Sequence, residues 1–199
     1  MATAVRENSI LFTFDVRPLK MTDQTFYEFC QRNKDFRFEM DKRGNLIIMP
    51  PTFLETSNRN SEINFQLRAW AKKDKTGVAF ESDGMFILPN GAKRAPDAFW
   101  ILKERYFALS EAERTEKFAR ICPDFVVELR SKSDRLRNLQ TKMREYIENG
   151  ARLGWLIDPT EKKVHVYRAN KSVEVFENLK SVSGEDVLQG FELDLTEIW

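Results

Sequence analysis

The 199-residue sequence has few of the residues that mark several large classes of protein. It contains one histidine and only two cysteines, Cys30 and Cys122, which lie far apart along the chain. This count excludes zinc sites built from histidine and cysteine. The two separate thiols favour a reducing, cytoplasmic setting. With 8 glycines and 7 prolines, the chain is neither collagen-like nor of low complexity.

Long apolar runs and an excess of one charge are also missing from the sequence. No run approaches the roughly 20 apolar residues that span a bilayer, and residues 1–10 lack the apolar core of a signal peptide, so we expect no membrane segment. The 32 Lys and Arg residues nearly cancel the 31 Asp and Glu residues. Any surface that binds nucleic acid must therefore be local. No phosphate-binding Gly-Lys-Ser/Thr loop is present, which disfavours a nucleotide cofactor.

Apolar residues make up 42% of the chain, which is enough for one well-filled core. We predict an N-terminal extension over residues 1–20 and a single domain over residues 21–199. A hairpin over residues 36–49 and a helix over residues 58–73 follow from apolar periods of two and 3.6. Asp83 and Gly84 are interpreted as the turn between two further short strands, at residues 78–81 and 85–88.

The second half of the chain has the clearest pattern. An apolar strand at residues 125–129 precedes an amphipathic helix that ends at Asn149 and Gly150, and a second apolar strand covers residues 153–158. This strand–helix–strand unit predicts that part of the sheet is parallel. The fold class is therefore α/β or α+β, with a mixed central sheet flanked by helices and an added N-terminal hairpin.

Three residues stand out as candidates for chemistry. Asp97 begins an apolar run, where a turn residue is the alternative. Glu128 interrupts an apolar strand, and a carboxylate there is costly unless it is paired, hydrogen-bonded or bound to a metal; a salt bridge to Arg130 is the alternative. Lys142 lies at the edge of the apolar stripe of the helix, where an ordinary lysine packing its stem is the alternative. Together, the two carboxylates could hold Mg²⁺, and a water bound to the metal could attack a phosphodiester. The ammonium could orient that water or stabilise the charge on the phosphate.

These residues lie in segments that resemble the Uma-two family of the PD-(D/E)XK, restriction-endonuclease-like superfamily. The similarity extends from about Thr22 to Trp199. The segments that carry it are Pro96-Asp97, Pro123 to Ser131, Ser133-Asp134, Lys142-Met143, Tyr146, Asn149-Gly150 and Gly154 to Pro159.

The resemblance implies a restriction-endonuclease-like fold and a DNA endonuclease that depends on Mg²⁺ or Mn²⁺. It implies that Asp97 and Glu128 are the metal-binding acids. The superfamily expects a lysine two residues after the second acid, where this chain has Arg130, which cannot act as a base. The family pattern implies that Lys142 supplies the lysine instead. Glu39, Arg130 and Gln140 are candidate accessory residues.

A local cluster of basic residues follows Glu128. Lys132, Arg135 and Arg137 could track the phosphate backbone of DNA, although a solvated helix face fits the pattern equally well. We also expect a homodimer, because dimers are common among related nucleases. The rival hypothesis is a catalytically inactive nuclease-fold protein that binds DNA or acts as a homodimeric interaction module. His165, the only histidine, is predicted to face solvent on a strand.

Overall fold

Two six-stranded sheets, one two-stranded sheet and five α-helices make up residues 12–199, the part of the chain that this computed structural model describes. In chain order the elements are β1 (Phe12–Asp15), a 3-10 helix (Arg17–Leu19), α1 (Asp23–Arg32), β2 (Arg37–Met40), β3 (Asn45–Met49), α2 (Leu54–Asp74), β4 (Gly77–Glu81), β5 (Phe86–Ile87), β6 (Lys93–Arg94), β7 (Ala98–Leu102), α3 (Lys103–Ala108), α4 (Glu111–Thr115), β8 (Ala119–Arg120), β9 (Phe125–Leu129), α5 (Leu136–Glu148), β10 (Leu153–Asp158), β11 (Lys163–Arg168), β12 (Glu174–Glu177), β13 (Ser181–Ser183) and β14 (Glu192–Asp194).

The first sheet has the order β1-β3-β2-β6-β5-β8 and is parallel only between β5 and β8. Its centre is the predicted hairpin of β2 and β3. The turn forms because the Asp41 carboxylate accepts hydrogen bonds from the backbone N–H groups of Arg43 and Asn45. Gly44 there adopts a φ of +85°, a left-handed conformation that suits glycine. A small apolar core lies behind this sheet and consists of Phe26, Phe38, Met40 and Leu46.

The second sheet has the order β12-β11-β10-β9-β7-β4 and holds the larger core. Strands β9 and β10 are parallel and are joined by α5, so the predicted strand–helix–strand unit is confirmed. One face of the sheet packs on α2 through Ile63 and Leu67, and the other packs on α5 through Met143 and Tyr146. The predicted mixed α/β (α+β) class is confirmed.

Several local predictions were wrong. Strands β4 and β5 exist near the predicted positions, but β4 pairs with β7 in the second sheet while β5 pairs with β6 and β8 in the first. Asp83 and Gly84 therefore connect two sheets and do not close a hairpin. His165 is 6% exposed and does not face solvent. It lies on β11 opposite Leu156 of β10, in the layer that α5 covers.

The predicted N-terminal extension is described only from residue 12. Strand β1 within it pairs with β3 and forms an edge of the first sheet. The prediction that residues 1–10 carry no signal peptide concerns residues outside the described part. Among the described helices, none combines the length and the apolar character needed to cross a bilayer.

Candidate active site

Asp97 and Glu128 face each other at one end of the β7–β9 pair. Ala98 stands opposite Val127 in this antiparallel ladder, so the next position outward sets Asp97 opposite Glu128. Facing residues of an antiparallel pair have Cβ atoms roughly 4.5–5.5 Å apart and lie on the same face of the sheet. The two candidate acids are thus neighbours because of strand register, although 30 residues of sequence separate them.

Both carboxylate oxygens of Asp97 accept hydrogen bonds. Oδ1 accepts from Nδ2 of Asn60 on α2 at 3.2 Å, and Oδ2 accepts from the backbone N–H of Leu129 on β9 at 2.8 Å. Burial raises the pKa of Asp97, and the hydrogen bond from Leu129 opposes that rise most strongly. The side chain is therefore fixed in direction before any ligand binds.

Glu128 is 4% exposed and has two partners on α5. Its Oε1 lies 2.8 Å from Nζ of Lys142 and accepts a hydrogen bond of 3.0 Å from the hydroxyl of Tyr146. Burial raises the pKa of Glu128 to about 8, and although the Lys142 ammonium opposes this, the charges of Asp97 and Glu39 add to it. Three carboxyl groups, those of Asp97, Glu128 and Glu39, thus lie near the single ammonium of Lys142.

Lys142 lies between two carboxylates from the two different six-stranded sheets. Its Nζ is 2.8 Å from Glu39 Oε1 on β2 and 2.8 Å from Glu128 Oε1 on β9. Burial disfavours the ammonium, but Glu128 and Glu39 outweigh it and raise the pKa of Lys142. The two carboxylates therefore hold the side chain in its positively charged form.

A buried arginine, Arg94, also links Glu39 to α5. Arg94 on β6 pairs with Glu39 Oε2 at 2.9 Å and with Glu145 Oε2 at 2.6 Å. The backbone N–H of Ala95 donates to Glu39 Oε1 at 3.0 Å, and Nδ2 of Asn90 donates to Glu145 Oε1 at 3.1 Å. Both glutamates are thus paired and hydrogen-bonded, which buried charges require.

Four residues of the site had no predicted role, namely Asn60, Arg94, Glu145 and Tyr146, although Tyr146 is among the residues that carry the resemblance. Glu145 and Tyr146 lie three and four positions after Lys142, so helical spacing could have indicated that they share its face. Arg94 and Asn60 reach the site through tertiary structure. Asn60 falls in a short stretch, Asn58-Arg59-Asn60, that is similar to the family pattern, but helical or strand periodicity gives neither residue a role.

A cleft of about 810 Å³ opens over the site and is lined by Asp97, Glu128, Lys142 and Glu39. Basic side chains also line the cleft. Lys42 and Arg43 come from the β2–β3 turn, and Arg135 and Arg144 come from α5 and the residue before it. Of the three basic residues predicted to contact DNA, Arg135 lines the cleft, whereas Lys132 and Arg137 are exposed outside it.

Two of the candidate accessory residues are outside this cleft. Arg130 turns to β10, where its Nη1 lies 2.6 Å from Oδ2 of the buried Asp158. Gln140 is on α5 two residues before Lys142, on a part of the helix that does not line the cleft. Glu39 is the one accessory candidate that contacts Lys142.

Asp97 and Glu128 have the donor chemistry of a magnesium site. Both offer hard carboxylate oxygens, and burial raises the pKa of both by disfavouring their charged forms, a cost that a bound divalent cation would offset. Within residues 12–199, no group of three or more His, Cys, Asp or Glu side chains is arranged to hold a metal. Mg²⁺ commonly uses only one or two protein carboxylates and completes its shell with waters and phosphates. The residues therefore fit Mg²⁺ or Mn²⁺.

Two comparisons with known proteins found similar proteins. Residues 23–196 match the model of the Uma2 family, which is described as "Putative restriction endonuclease". The fold is similar to the crystal structure of a protein from Anabaena variabilis ATCC 29413 described as "a putative nuclease belonging to DUF820", with a TM-score of 0.70 and 22% identity over 81% of this chain and 88% of that one. No curated protein matches the sequence.

Proposed function

Because the chain belongs to the Uma2 family, we propose that it is an endonuclease that hydrolyses phosphodiester bonds in DNA with the help of Mg²⁺ or Mn²⁺. One observation carries the proposal. Asp97 and Glu128 face each other across β7 and β9, and the ammonium of Lys142 lies 2.8 Å from Glu128. Two hard oxygen ligands for a divalent cation, next to a fixed ammonium, suit the hydrolysis of a phosphodiester.

Asp97 and Glu128 would hold the divalent cation. When bound, such a cation makes a water easier to deprotonate and offsets negative charge on the phosphate. Lys142 stabilises the charge that builds up on the phosphoryl oxygens in the transition state, and its raised pKa keeps it in the charged form that this task needs. Glu39 holds the ammonium in place from the other side.

DNA would enter along the basic side of the cleft. Arg135 and Arg144 line it and can neutralise backbone phosphates, and the exposed Lys132 and Arg137 extend the positive surface beyond it. Each site cuts one strand, so we propose that two copies act together on a duplex. Light scattering of the purified protein, together with the ratio of nicked to linear plasmid, tests this assembly.

A plasmid cleavage assay with Mg²⁺, Mn²⁺ and Ca²⁺ tests the proposed activity. Glu128→Gln should reduce cleavage on the order of 10³-fold, because it removes a charged ligand, while circular dichroism shows an unchanged fold. Glu62→Gln is the matched control: Glu62 is on α2, accepts a hydrogen bond only from Gln66 among the described residues, and should leave cleavage unchanged. Equal cleavage by the Glu128 variant and the wild type would refute the site.

The alternative of a catalytically inactive nuclease-fold protein rested on Arg130 at the standard lysine position. That arginine is paired with Asp158, and the ammonium of Lys142 is next to Glu128 instead. The observation that motivated the alternative therefore does not count against activity. Salt-sensitive retention of DNA without cleavage in any of the three metals would favour the alternative.

A further inference from the structure

Asn60 contacts the proposed metal ligand Asp97 from α2, although the sequence analysis assigned it no role. Its Nδ2 donates to Asp97 Oδ1 at 3.2 Å. One turn later on the same helix, Nδ2 of Asn64 donates to the backbone carbonyl oxygen of Asp97 at 3.0 Å. Two successive turns of α2 therefore hold the side chain and the backbone of a single residue.

The other half of the Asn60 amide has no partner. Its Oδ1 is buried and accepts no hydrogen bond from any residue in the described range 12–199. Turning the amide over would set this oxygen against the Asp97 carboxylate and replace an attraction with a repulsion. The observed orientation is therefore the favourable one, and it leaves the oxygen unpaired.

The hydrogen bond to Asp97 is what the amide of Asn60 provides, because its other half makes none among the described residues. A buried acceptor without a donor is destabilising. An apolar side chain of similar size would remove the unpaired oxygen but would also remove the donor to Asp97. Gln66 on the same helix shows the contrast, because its amide both donates to and accepts from the backbone of Asp194, at 3.0 and 2.8 Å. Asn60 thus serves Asp97 at the expense of its own hydrogen bonding.

We propose that Asn60 is a positioning residue of the cation site that acts through Asp97, an inference that rests on the function proposed above. The N–H of Asn60 on one oxygen and the N–H of Leu129 on the other fix the plane of the carboxylate. A ligand fixed in advance loses less freedom when a cation binds. Asn60 therefore raises the affinity of the chain for Mg²⁺ and Mn²⁺.

Calorimetric titration with Mg²⁺ and Mn²⁺, combined with melting temperatures measured with and without each ion, tests this role. Asn60→Leu removes both the donor and the unpaired oxygen at similar volume. It should weaken cation binding about 10–100-fold, as loss of an orienting partner does. The melting temperature without cation should change little, because the variant removes one unpaired oxygen and leaves another, Oδ1 of Asp97. Asn60→Asp sets a second carboxylate against Asp97. It should lower the melting temperature without cation and enlarge the rise that Mg²⁺ produces.

Gln66→Leu is the matched control on the same helix. It should lower the melting temperature equally with and without cation and leave the dissociation constant unchanged, because Gln66 contacts Asp194 and not the site. Equal cation affinity and equal cation-induced shifts in wild type, Asn60→Leu and Asn60→Asp would overturn the inference alone. A wild-type chain that binds neither ion would overturn the proposed function and this inference together.

Discussion

Glu39 and Lys142 form an ion pair of 2.8 Å between the first sheet and helix α5, which packs on the second sheet. Glu39 is on β2, in the hairpin that the sequence analysis regarded as an addition to the central sheet. The same carboxylate also pairs with Arg94. The first sheet is therefore part of the candidate site, because it supplies the second anchor of the lysine.

We expect Glu39→Gln to destabilise the protein strongly. The change leaves Arg94 and Lys142 with one carboxylate partner each, Glu145 and Glu128. Removing one member of a buried ion pair typically costs about 3–5 kcal/mol. Urea unfolding of the variant measures the loss. Glu55→Gln is the control, since Glu55 pairs with Arg59 at an exposed position and its loss should cost about 0–1 kcal/mol. Similar losses in the two variants would contradict a structural role for the Glu39 network.

Lys142 variants should separate charge from geometry. Lys142→Met leaves Glu39 and Glu128 without their shared ammonium, so cleavage and stability should both fall. Lys142→Arg keeps the charge but changes its shape, so it should retain most of the stability and only part of the activity. Because the carboxylates raise the pKa of Lys142, the pH profile of wild-type cleavage should show no ionisation of this residue near neutral pH. Full activity of Lys142→Met would exclude Lys142 from the mechanism.

The stability of the metal-free protein should decrease as the pH rises from about 4.5 to about 8. Across this window Glu128 is ionised in the unfolded chain, where its pKa is near 4.5, but protonated in the folded one, where burial raises the pKa to about 8. The folded state then binds the extra proton, so the free energy of unfolding falls with pH. Urea unfolding at several pH values should show a shallower fall for Glu128→Gln than for the wild type. Parallel curves would contradict the raised pKa.

The sequence predicted the parts of the fold in which local pattern and tertiary structure agree. Strand β9, helix α5 and strand β10 have uniform apolar periods and a clear helix stop at Asn149 and Gly150, so their order and pairing followed. The pairing of β4 and β5 could not be predicted in the same way. A short strand and a turn look alike whether the chain folds back or crosses to another sheet.

The candidate site also contains residues that the sequence predicted and residues that it could not predict. Asp97, Glu128 and Lys142 stood out in the sequence, and the family resemblance gave them their roles. Strand register explains the proximity of Asp97 and Glu128, and the packing of α5 brings Lys142 to Glu128. The Arg94–Glu145 pair joins residues 51 positions apart through tertiary structure alone. His165 alternates with apolar residues, a pattern typical of a half-exposed strand, but α5 covers that face of β11. The burial of a strand residue depends on whether a helix packs over that face of the sheet, and the local sequence pattern does not show this.

Gly154→Ala should disturb the site from beneath α5. Gly154 is on β10, and a Cβ atom there would lie 2.5 Å from Cε of Met143 and 3.2 Å from Cγ2 of Val126. Met143 follows Lys142 on α5, so relief of the clash requires either a new Met143 rotamer or a shift of the helix that carries the lysine. We expect a loss of about 1–3 kcal/mol, typical of overpacking, and a larger fall in cleavage than in binding of DNA.

Met143→Leu provides the matched test of this mechanism, because its shorter side chain vacates the space next to residue 154. The double variant should recover part of the stability that Gly154→Ala loses, which gives a coupling free energy of about 0.5–3 kcal/mol in a double-mutant cycle. Additive losses would mean that the new methyl group does not act through Met143. In that case the position of Lys142 would not depend on the close packing of Met143 against Gly154.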